Sequence, residues 1–315
     1  MGVTATFGVD LGGTNLRVAL VDPDGTIVEQ RRAKTPATLD GIVDTITGVV
    51  RAFAPLRPEA RALGVGAAGM VDRDGVIHYS PNVPAFLKAP VRERLGAAVG
   101  LPTIVDNDAN AAVVAELTHG AARGEREVLL VTLGTGVGGG IVTRGQVLRG
   151  AHGFGAEIGH FQTDPDGPLC ACGQRGHWEA SASGTALGAM ARERVAAGRA
   201  PALLRLAGGD VAAVTGLHVG EAARAGDPVA IELMAEYAGH VAVGLVGLAN
   251  ILDPALIVVS GGLIDLADVL LDPVRAAFGG RLEGAAYRPA VPIVPAALGR
   301  HAGVIGAAVL ARELS

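Results

Sequence analysis

The sequence predicts two related α/β domains that face a common cleft. The first observation is length, since 315 residues suffice for two domains of ordinary size, each with its own core. The second is a repeat: a strand, a glycine-rich loop, a strand, a turn and a strand occur at residues 4–30 and again at 127–148. A repeated unit of this kind indicates two related halves, so we expect a ligand to bind between the two glycine-rich loops.

The remaining elements follow from hydrophobic periodicity and turn residues. In the first half the predicted elements are strands at 4–9, 16–21, 26–30, 62–67 and 103–105, a strand pair near 71 and 77, and helices at 40–53 and 108–118. In the second half they are strands at 127–133, 140–143, 146–148 and 256–259, helices at 181–197 and 228–252, and a terminal helix after residue 299. Strands that alternate with helices in this way are typical of α/β domains.

Composition excludes several classes of protein. The net charge is −5 and the longest basic run is Arg31-Arg32, so we expect no nucleic-acid partner. Two cysteines in a Cys-x-Cys pair cannot form a disulfide framework, and the first residues lead directly into a strand without a secretory signal pattern. The longest apolar stretch, 241–252, is shorter than the roughly 20 residues that a membrane span needs. We therefore expect a cytoplasmic protein with no membrane partner.

Both glycine-rich loops have the composition of phosphate-binding loops. Residues 10–15 read Asp-Leu-Gly-Gly-Thr-Asn and residues 133–138 read Leu-Gly-Thr-Gly-Val-Gly, each directly after a strand. Backbone N–H groups of such loops can bind phosphate oxygens, while Asp10 can face a magnesium ion or its waters. The alternative is that each loop is only a turn. The second loop also fits the dinucleotide pattern G-x-G-x-x-G, but a strand follows it where that pattern requires a helix.

Asp108 is the candidate general base. It lies in the segment 105–110, Val-Asp-Asn-Asp-Ala-Asn, where a strand ends and a helix begins. Phosphoryl transfer to an alcohol needs a carboxylate that accepts the hydroxyl proton, and Asn107 could hold a neighbouring hydroxyl. The structural alternative is that Asp108 or Asn110 caps the helix, because Asp and Asn are preferred capping residues.

The segment 170–179, Cys-Ala-Cys-Gly-Gln-Arg-Gly-His-Trp-Glu, suggests a zinc site. Cys170, Cys172 and His177 supply three ligands of the kind that zinc prefers, and His160 is the candidate fourth. Two glycines between them suit the turned backbone that such a knuckle needs. The alternative is a pair of free thiols beside a surface histidine, because zinc sites more often contain Cys-x2-4-Cys.

Taken together, these motifs resemble the ROK family of sugar kinases and sugar-responsive repressors over nearly the whole chain, with bacterial ATP-dependent glucokinases as the nearest group. The motifs that carry the resemblance are Asp10-Leu-Gly-Gly-Thr, Asp106-Asn-Asp-Ala-Asn-Ala, Leu133-Gly-Thr-Gly-Val-Gly-Gly-Gly, Gly155-Ala-Glu-Ile-Gly-His160 and Cys170-Ala-Cys-Gly-Gln-Arg-Gly-His-Trp-Glu179. The family has a third cysteine where this chain has His177, so a site with three cysteines and one histidine becomes Cys2His2.

The resemblance implies the actin-like ATPase fold (ribonuclease H-like), with a small domain at 1–108, to which a helix at about 300–315 returns, and a large domain at 109–299 that carries the zinc knuckle. It also implies that Asp108 is the catalytic base. The implied sugar-binding residues are Asn82, Asn107, Asp108, Glu157, His160 and Glu179. The implied nucleotide-binding residues are Asp10, Gly12, Gly13, Thr14, Gly134, Thr135 and Gly136 at the phosphates and Ser260, Gly261 and Gly262 at the adenosine.

The residue chemistry agrees with these roles. Carboxylates and amides can each bind two sugar hydroxyls, although Glu179 could instead complement a helix dipole. The expected reaction is phosphorylation of a hexose, D-glucose to glucose 6-phosphate, with ATP, Mg²⁺ and a structural Zn²⁺. Fructose, mannose or an N-acetylhexosamine as acceptor and polyphosphate as donor remain alternatives. So does a sugar-sensing repressor, whose DNA-binding module we do not expect before the first strand. The family resemblance further suggests a homo-oligomer, a dimer or a tetramer.

Overall fold

The computed structural model describes residues 4–80, 83 and 85–314 and divides into two compact units. Unit 1 comprises Met1–Arg126, Gly140–Ala156 and Ala297–Ser315, and unit 2 comprises Glu127–Gly139 and Glu157–Ala296. The predicted boundary at 108 differs from this division, because the helix that begins there packs on the first sheet and on the C-terminal helix. The C-terminal helix belongs to the first unit.

The described residues contain twelve strands and ten α-helices. The strands are β1 (Thr6–Leu11), β2 (Asn15–Val21), β3 (Ile27–Lys34), β4 (Leu63–Ala67), β5 (Met70–Val71), β6 (Ile77–Tyr79), β7 (Thr103–Asn107), β8 (Val128–Leu133), β9 (Val137–Thr143), β10 (Gln146–Val147), β11 (Leu256–Ser260) and β12 (Ile293–Pro295). The helices are α1 (Leu39–Phe53), α2 (Val91–Val99), α3 (Asp108–His119), α4 (Trp178–Ala182), α5 (Gly184–Ala196), α6 (Pro201–Leu206), α7 (Gly216–Arg224), α8 (Pro228–Leu252), α9 (Ala267–Gly279) and α10 (Ala302–Ala311).

Unit 1 is a sheet with helices on both faces. The strand order is β3-β2-β1-β4-β7, with β1 antiparallel to β2 and parallel to β4, and β4 parallel to β7. Phe7, Val9 and Val65 pack with the apolar side of α1 in one core. On the other face α10 lies so close to the sheet that a Cβ at Gly8 or Gly64 would be 2.1 or 1.8 Å from a carbonyl oxygen of that helix. Glycine at these two positions therefore permits the helix to cross the strands.

Unit 2 contains most of a second sheet with the corresponding strand order, β10-β9-β8-β11-β12. Strands β8, β11 and β12 are parallel, and β9 is antiparallel to β10. In each sheet the order from one edge is the third, second and first strand of the repeated three-strand segment, followed by two strands from later in the chain. The division between the units passes through β9 after Gly139. The repeated unit that the sequence predicts is thus confirmed as a repeated sheet topology.

Helix α8 matches its predicted bounds and is the longest described helix. Its length and composition alone would allow it to cross a membrane, but half of its most apolar window is buried within the protein. Its buried residues include Leu233, Tyr237 and Leu245. This pattern is typical of a core helix rather than a lipid-facing one.

Candidate active site

The first glycine-rich loop connects β1 to β2 and is held by Thr35. The Gly12 N–H donates to the Asn15 carbonyl at 3.1 Å, which closes a tight hairpin. The Thr35 hydroxyl donates to the Gly12 carbonyl at 2.7 Å, and the Thr35 N–H donates to the Thr14 carbonyl at 3.0 Å. The carbonyl groups of Gly12 and Thr14 therefore accept hydrogen bonds from Thr35, the residue that follows β3. Gly13, the next predicted phosphate-binding residue, lies between these anchors.

Asp10 precedes this loop and carries a strongly perturbed carboxyl group. Its pKa is raised to about 6, chiefly because burial disfavours the charged form and secondly because of the negative charge of Asp108. Arg17, which is its register partner on β2, opposes the shift. A buried carboxyl group beside a second acidic group is a candidate for cation binding.

Asp108 is the first residue of α3, directly after β7. Its pKa is raised because the carboxyl group is desolvated, while the Ala109 N–H, which donates to Oδ1 at 2.9 Å, opposes the shift. The helix cap is Asn107, whose side-chain oxygen accepts from the N–H groups of Ala109 and Asn110. The alternative that Asp108 or Asn110 caps the helix is therefore wrong. Because Asn107 has the capping role, Asp108 needs another explanation.

The amide group of Asn107 has a second partner. Its Nδ2 donates to the Gly69 carbonyl at 3.2 Å, and Gly69 adopts a φ of 131°, a value that favours glycine. This bond fixes the orientation of the amide, so the side chain presents a defined donor and acceptor edge. Asn82, the other amide predicted to contact sugar, lies outside the described residues.

Sequence reasoning missed an ion pair next to Asp108. Asp106 is buried, and its Oδ2 accepts from Arg149 Nε at 2.7 Å. Its Oδ1 accepts from Asn110 Nδ2 at 2.8 Å and from the Asn107 N–H at 2.8 Å. The pattern from 105 to 110 includes Asp106, but nothing local indicates a partner 43 residues away.

The second glycine-rich loop, between β8 and β9, is held by the start of α5. The Gly184 N–H donates to the Gly134 carbonyl at 2.7 Å, and the Thr185 hydroxyl donates to the Thr135 carbonyl at 2.7 Å. The Gly134 N–H donates to the Gly136 carbonyl at 3.0 Å, which forms the turn. As in the first loop, hydroxyl and N–H donors from a neighbouring segment engage the loop carbonyls.

A cavity of about 360 Å³ opens beside this loop within unit 2. It is lined by Gly134, Thr135, Gly184, Thr185, Gly188, Arg192, Thr215, Gly216, Leu217, Gly262 and Leu263. A Cβ at Gly262 would meet no atom within 4 Å, and one at Gly134 would approach only the Gly262 N–H, at 3.7 Å. Of the predicted nucleotide-binding residues of this unit, Gly134, Thr135 and Gly262 line the cavity. Ser260 is buried at the end of β11, and Gly261 packs against the Leu133 backbone.

Gly136 faces a carboxylate instead of the cavity. A Cβ at this position would lie 2.2 Å from Glu179 Oε2, and that oxygen accepts from the Val137 N–H at 2.9 Å. The other oxygen, Oε1, lies 3.4 Å from Cys170 Sγ. Glu179 therefore links the glycine-rich loop to the cysteine segment, a contact that its position near a helix start does not predict.

The four predicted zinc ligands form one cluster. The ligand atoms of His160, Cys170, Cys172 and His177 all lie within 4.8 Å of one another. Cys172 Sγ lies 3.2 Å from His177 Nδ1, and Cys170 Sγ lies 3.8 Å from His160 Nδ1. The backbone turns as predicted, because Gly173 and Gly176 adopt φ values of 92° and 71°. Two thiols and two imidazoles at this separation fit a tetrahedral zinc shell.

Glu157 lies immediately before the short 3₁₀ helix Ile158–His160 and is exposed. Its carbonyl accepts from the His160 N–H at 3.0 Å, so these two predicted sugar-binding residues are on one turn. Unit 2 thus places Glu157, His160 and Glu179 on or beside the cysteine segment. Unit 1 places Asn107 and Asp108 together at the β7–α3 junction.

Comparisons with known proteins extend these observations to the whole chain. The glucokinase of Streptomyces coelicolor is 43% identical over 311 residues, which is 98% of each chain. The N-acetylmannosamine kinase of Salmonella typhimurium is 35% identical, again over 98% of each chain. A crystal structure of a ROK family glucokinase from Streptomyces griseus with glucose and AMPPNP has a TM-score of 0.89 at 42% identity, covering 98% of this chain and 99% of that one.

The likeness of the folds confirms the predicted fold class, because ROK glucokinases have the actin-like ATPase fold. The ROK family description matches residues 6–314. This chain therefore belongs to the ROK family.

Proposed function

We propose that this protein is a hexose kinase that transfers the γ-phosphoryl group of ATP to the 6-hydroxyl of D-glucose. The observation that carries the proposal is the desolvated Asp108 carboxyl group at the β7–α3 junction, whose raised pKa suits a general base. The full-length similarity to glucokinases, one of them solved with glucose and an ATP analogue, supports the same reaction.

The chemistry needs one proton acceptor and a means of binding phosphate. Asp108 accepts the proton of the 6-hydroxyl group while the oxygen of that hydroxyl group forms the new bond to the γ-phosphorus. The bond between the γ-phosphorus and the bridging oxygen of ADP breaks, and ADP leaves with the electrons of that bond. The Ala109 N–H, which donates to Oδ1 at 2.9 Å, holds the carboxyl group at the start of α3. Asp10 is the residue that would hold Mg²⁺ or its waters, and the ion would neutralise charge on the phosphates.

The cavity in unit 2 favours a nucleotide as the phosphoryl donor. Leu217 and Leu263 give it apolar walls. An adenine base suits such walls, whereas a polyphosphate chain would gain nothing from them. Gly134 and Thr135 are proposed to bind phosphate oxygens, and so are Gly12, Gly13 and Thr14 of the first loop.

The sugar is proposed to be bound by amides and carboxylates. Asn82, Asn107 and Asp108 contribute from the first unit, and Glu157, His160 and Glu179 contribute from the second. Carboxylate oxygens can each accept from a sugar hydroxyl, which suits the recognition of a polyhydroxyl ligand. The N-acetylmannosamine kinase among the relatives makes the substituent at the second carbon the feature to test.

A structural zinc ion is proposed at His160, Cys170, Cys172 and His177. Its chemistry is to hold four side chains in one geometry, because the ion takes no part in phosphoryl transfer. His160 and Glu179, which contacts Cys170, would thereby keep their positions towards the sugar. We further propose a cytoplasmic homo-oligomer that acts in the first step of glucose use.

An assay of sugar phosphate formation tests the proposal, because this product forms with either donor. The purified protein is incubated with ATP or polyphosphate and with glucose, fructose, mannose, N-acetylglucosamine or N-acetylmannosamine. We expect the highest kcat/KM with ATP and glucose. A higher value for an N-acetylhexosamine would reassign the acceptor, equal use of polyphosphate would reassign the donor, and turnover of no sugar would refute the kinase function.

A further inference from the structure

The Asp106–Arg149 ion pair has no role in the reaction described above, yet its geometry is that of a support for the sugar site. Asp106 is buried, and both of its oxygens accept hydrogen bonds. One oxygen binds Arg149 and the other binds Asn110 and the backbone of Asn107. A buried carboxylate with this many donors holds its neighbours in one arrangement, because moving any of them leaves a polar group unpaired.

On its other side the pair holds the loop 148–156. The Leu148 N–H donates to the Ile141 carbonyl at 2.8 Å, and the Gly155 N–H donates to the carbonyl of Arg149 at 3.0 Å. Arg149 is therefore bonded through its side chain to β7 and through its backbone to the end of the loop. The residue after this loop is Glu157.

The backbone at the end of the loop needs such support. Ala156 has a φ of 68°, a left-handed conformation that is unfavourable for a non-glycine residue and persists only where the surroundings impose it. Gly153, with a φ of 97°, lies so close to β5 that a Cβ would be 2.5 Å from the Val71 carbonyl. The anchored loop thus maintains the backbone conformation of Ala156, the residue that precedes Glu157.

A second arginine offers a matched comparison. The Arg73 guanidinium donates from Nε to the Ala151 carbonyl at 3.1 Å and from Nη2 to the Gly150 carbonyl at 2.5 Å. It therefore braces the same loop, but Arg73 is exposed, and neither of these two hydrogen bonds reaches β7. If bracing the loop were sufficient, the two arginines would be equivalent.

We propose that Arg149 is a positioning residue for the sugar, because it joins the β7 end that carries Asn107 and Asp108 to the loop that leads into Glu157. The proposal rests on the proposed function, since it assigns these residues to the hexose. Arg149 acts by holding the loop and β7 in position and not by changing the pKa of the Asp108 base. Burial raises the pKa of Asp108, and the hydrogen bonds of its carboxyl group with the Ala109 N–H and with the backbone of Asp108 oppose that shift. Loss of Arg149 should therefore weaken sugar binding while the pH dependence of kcat stays as it is.

The experiment compares Arg149→Met with Arg73→Met, using the sugar that the wild-type protein phosphorylates fastest. We expect Arg149→Met to raise the KM for sugar about 10- to 100-fold and to lower kcat about 10-fold, with the KM for ATP within twofold of wild type. Arg73→Met should change each constant less than threefold. Arg149→Lys, which keeps a charge and a donor, should recover part of the loss and serves as the readout if Arg149→Met does not fold.

Combining Asp106→Asn with Arg149→Met should cost no more than the more damaging single change, because the two residues act as one unit. The proposal is overturned if Arg149→Met leaves the KM for sugar unchanged, if it raises the KM for ATP equally, or if Arg73→Met has the same effect. Each of these outcomes compares a variant with an active wild-type protein. If the wild-type protein itself turns over no sugar, the proposed function is refuted instead.

Discussion

Replacement of Asp108 by asparagine should separate catalysis from folding. The Ala109 N–H donates to Oδ1 of the carboxylate at 2.9 Å, and an asparagine oxygen can accept the same bond, so the β7–α3 junction is preserved. The amide cannot take a proton. General-base catalysis typically contributes 10²- to 10⁴-fold, so we expect kcat to fall by that factor, or by about 3 to 5 kcal/mol of activation free energy.

The same change should raise stability above neutral pH. A carboxyl group with a raised pKa stabilises the fold below its unfolded pKa, and this contribution is lost as pH rises through the folded value. For Asp10 the rise from 3.8 to about 6 corresponds to about 3 kcal/mol, and Asp108 is one of its causes. Removing the charge at Asp108 relieves its own desolvation and part of the cost at Asp10. We expect a gain of about 1 to 3 kcal/mol at pH 8 that declines towards pH 4.

Two measurements test this reasoning. Steady-state kinetics with glucose and ATP give kcat and both KM values for wild type and Asp108→Asn, and thermal unfolding without nucleotide or magnesium gives the stability at pH 5 and pH 8. Wild-type turnover would remove Asp108 from the mechanism. If the variant is inactive and also less stable than the wild type at pH 8, the electrostatic account is refuted, because the Asp108 carboxylate would then stabilise the wild-type fold.

Three further predictions concern the loops, the metal and Asp10. The added methyl group of Gly134→Ala projects into the cavity, so this change should raise the KM for ATP about tenfold with little change in the KM for glucose. Gly136→Ala displaces Glu179 and should raise the KM for glucose as well. Steady-state kinetics with each substrate varied in turn distinguish the two results. The purified protein should contain one zinc per chain, His177→Cys should retain it and His177→Ala should lose much of it, and full activity without zinc by elemental analysis would contradict the role of the cluster. Asp10→Asn should raise the melting temperature at pH 8 by several degrees and should raise the magnesium concentration needed for half-maximal activity. An unchanged magnesium titration would assign the ion to other residues.

Local signals in the sequence predicted the repeated strands well. Alternating apolar residues and glycine turns specify β1–β3 and β8–β10 without reference to the rest of the chain, and α8 has a long apolar face between a capping Asp227 and a left-handed Asp253. The helix α9 was not predicted, and it contains Pro273, which ordinarily indicates the end of a helix. The weakly apolar α2 gave no clear period. Where the local signal was weak or contradictory, packing determined the structure.

The candidate site was only partly predictable for the same reason. Motifs can identify Asp108, Glu179 and the cysteines, because each lies in a short stretch of unusual composition. The walls of the cavity cannot be found in this way, because Gly188 and Arg192 lie in α5, Leu217 lies in α7, and all three have ordinary neighbours in sequence. Nor does a motif show that two glycines of one loop have different surroundings.

The contrast between Gly134 and Gly136 shows what the structure adds to a glycine motif. In the sequence both are small residues of a phosphate-binding loop, but one borders a cavity and the other borders the Glu179 carboxylate. That carboxylate also contacts Cys170, so the loop proposed to bind phosphate, the residue proposed to bind sugar and the proposed zinc cluster are in direct contact within unit 2. A change in any of them should therefore alter the other two. Zinc removal should therefore change the KM for ATP as well as the KM for glucose. The size of the change in the KM for ATP measures how strongly the cluster supports the loop.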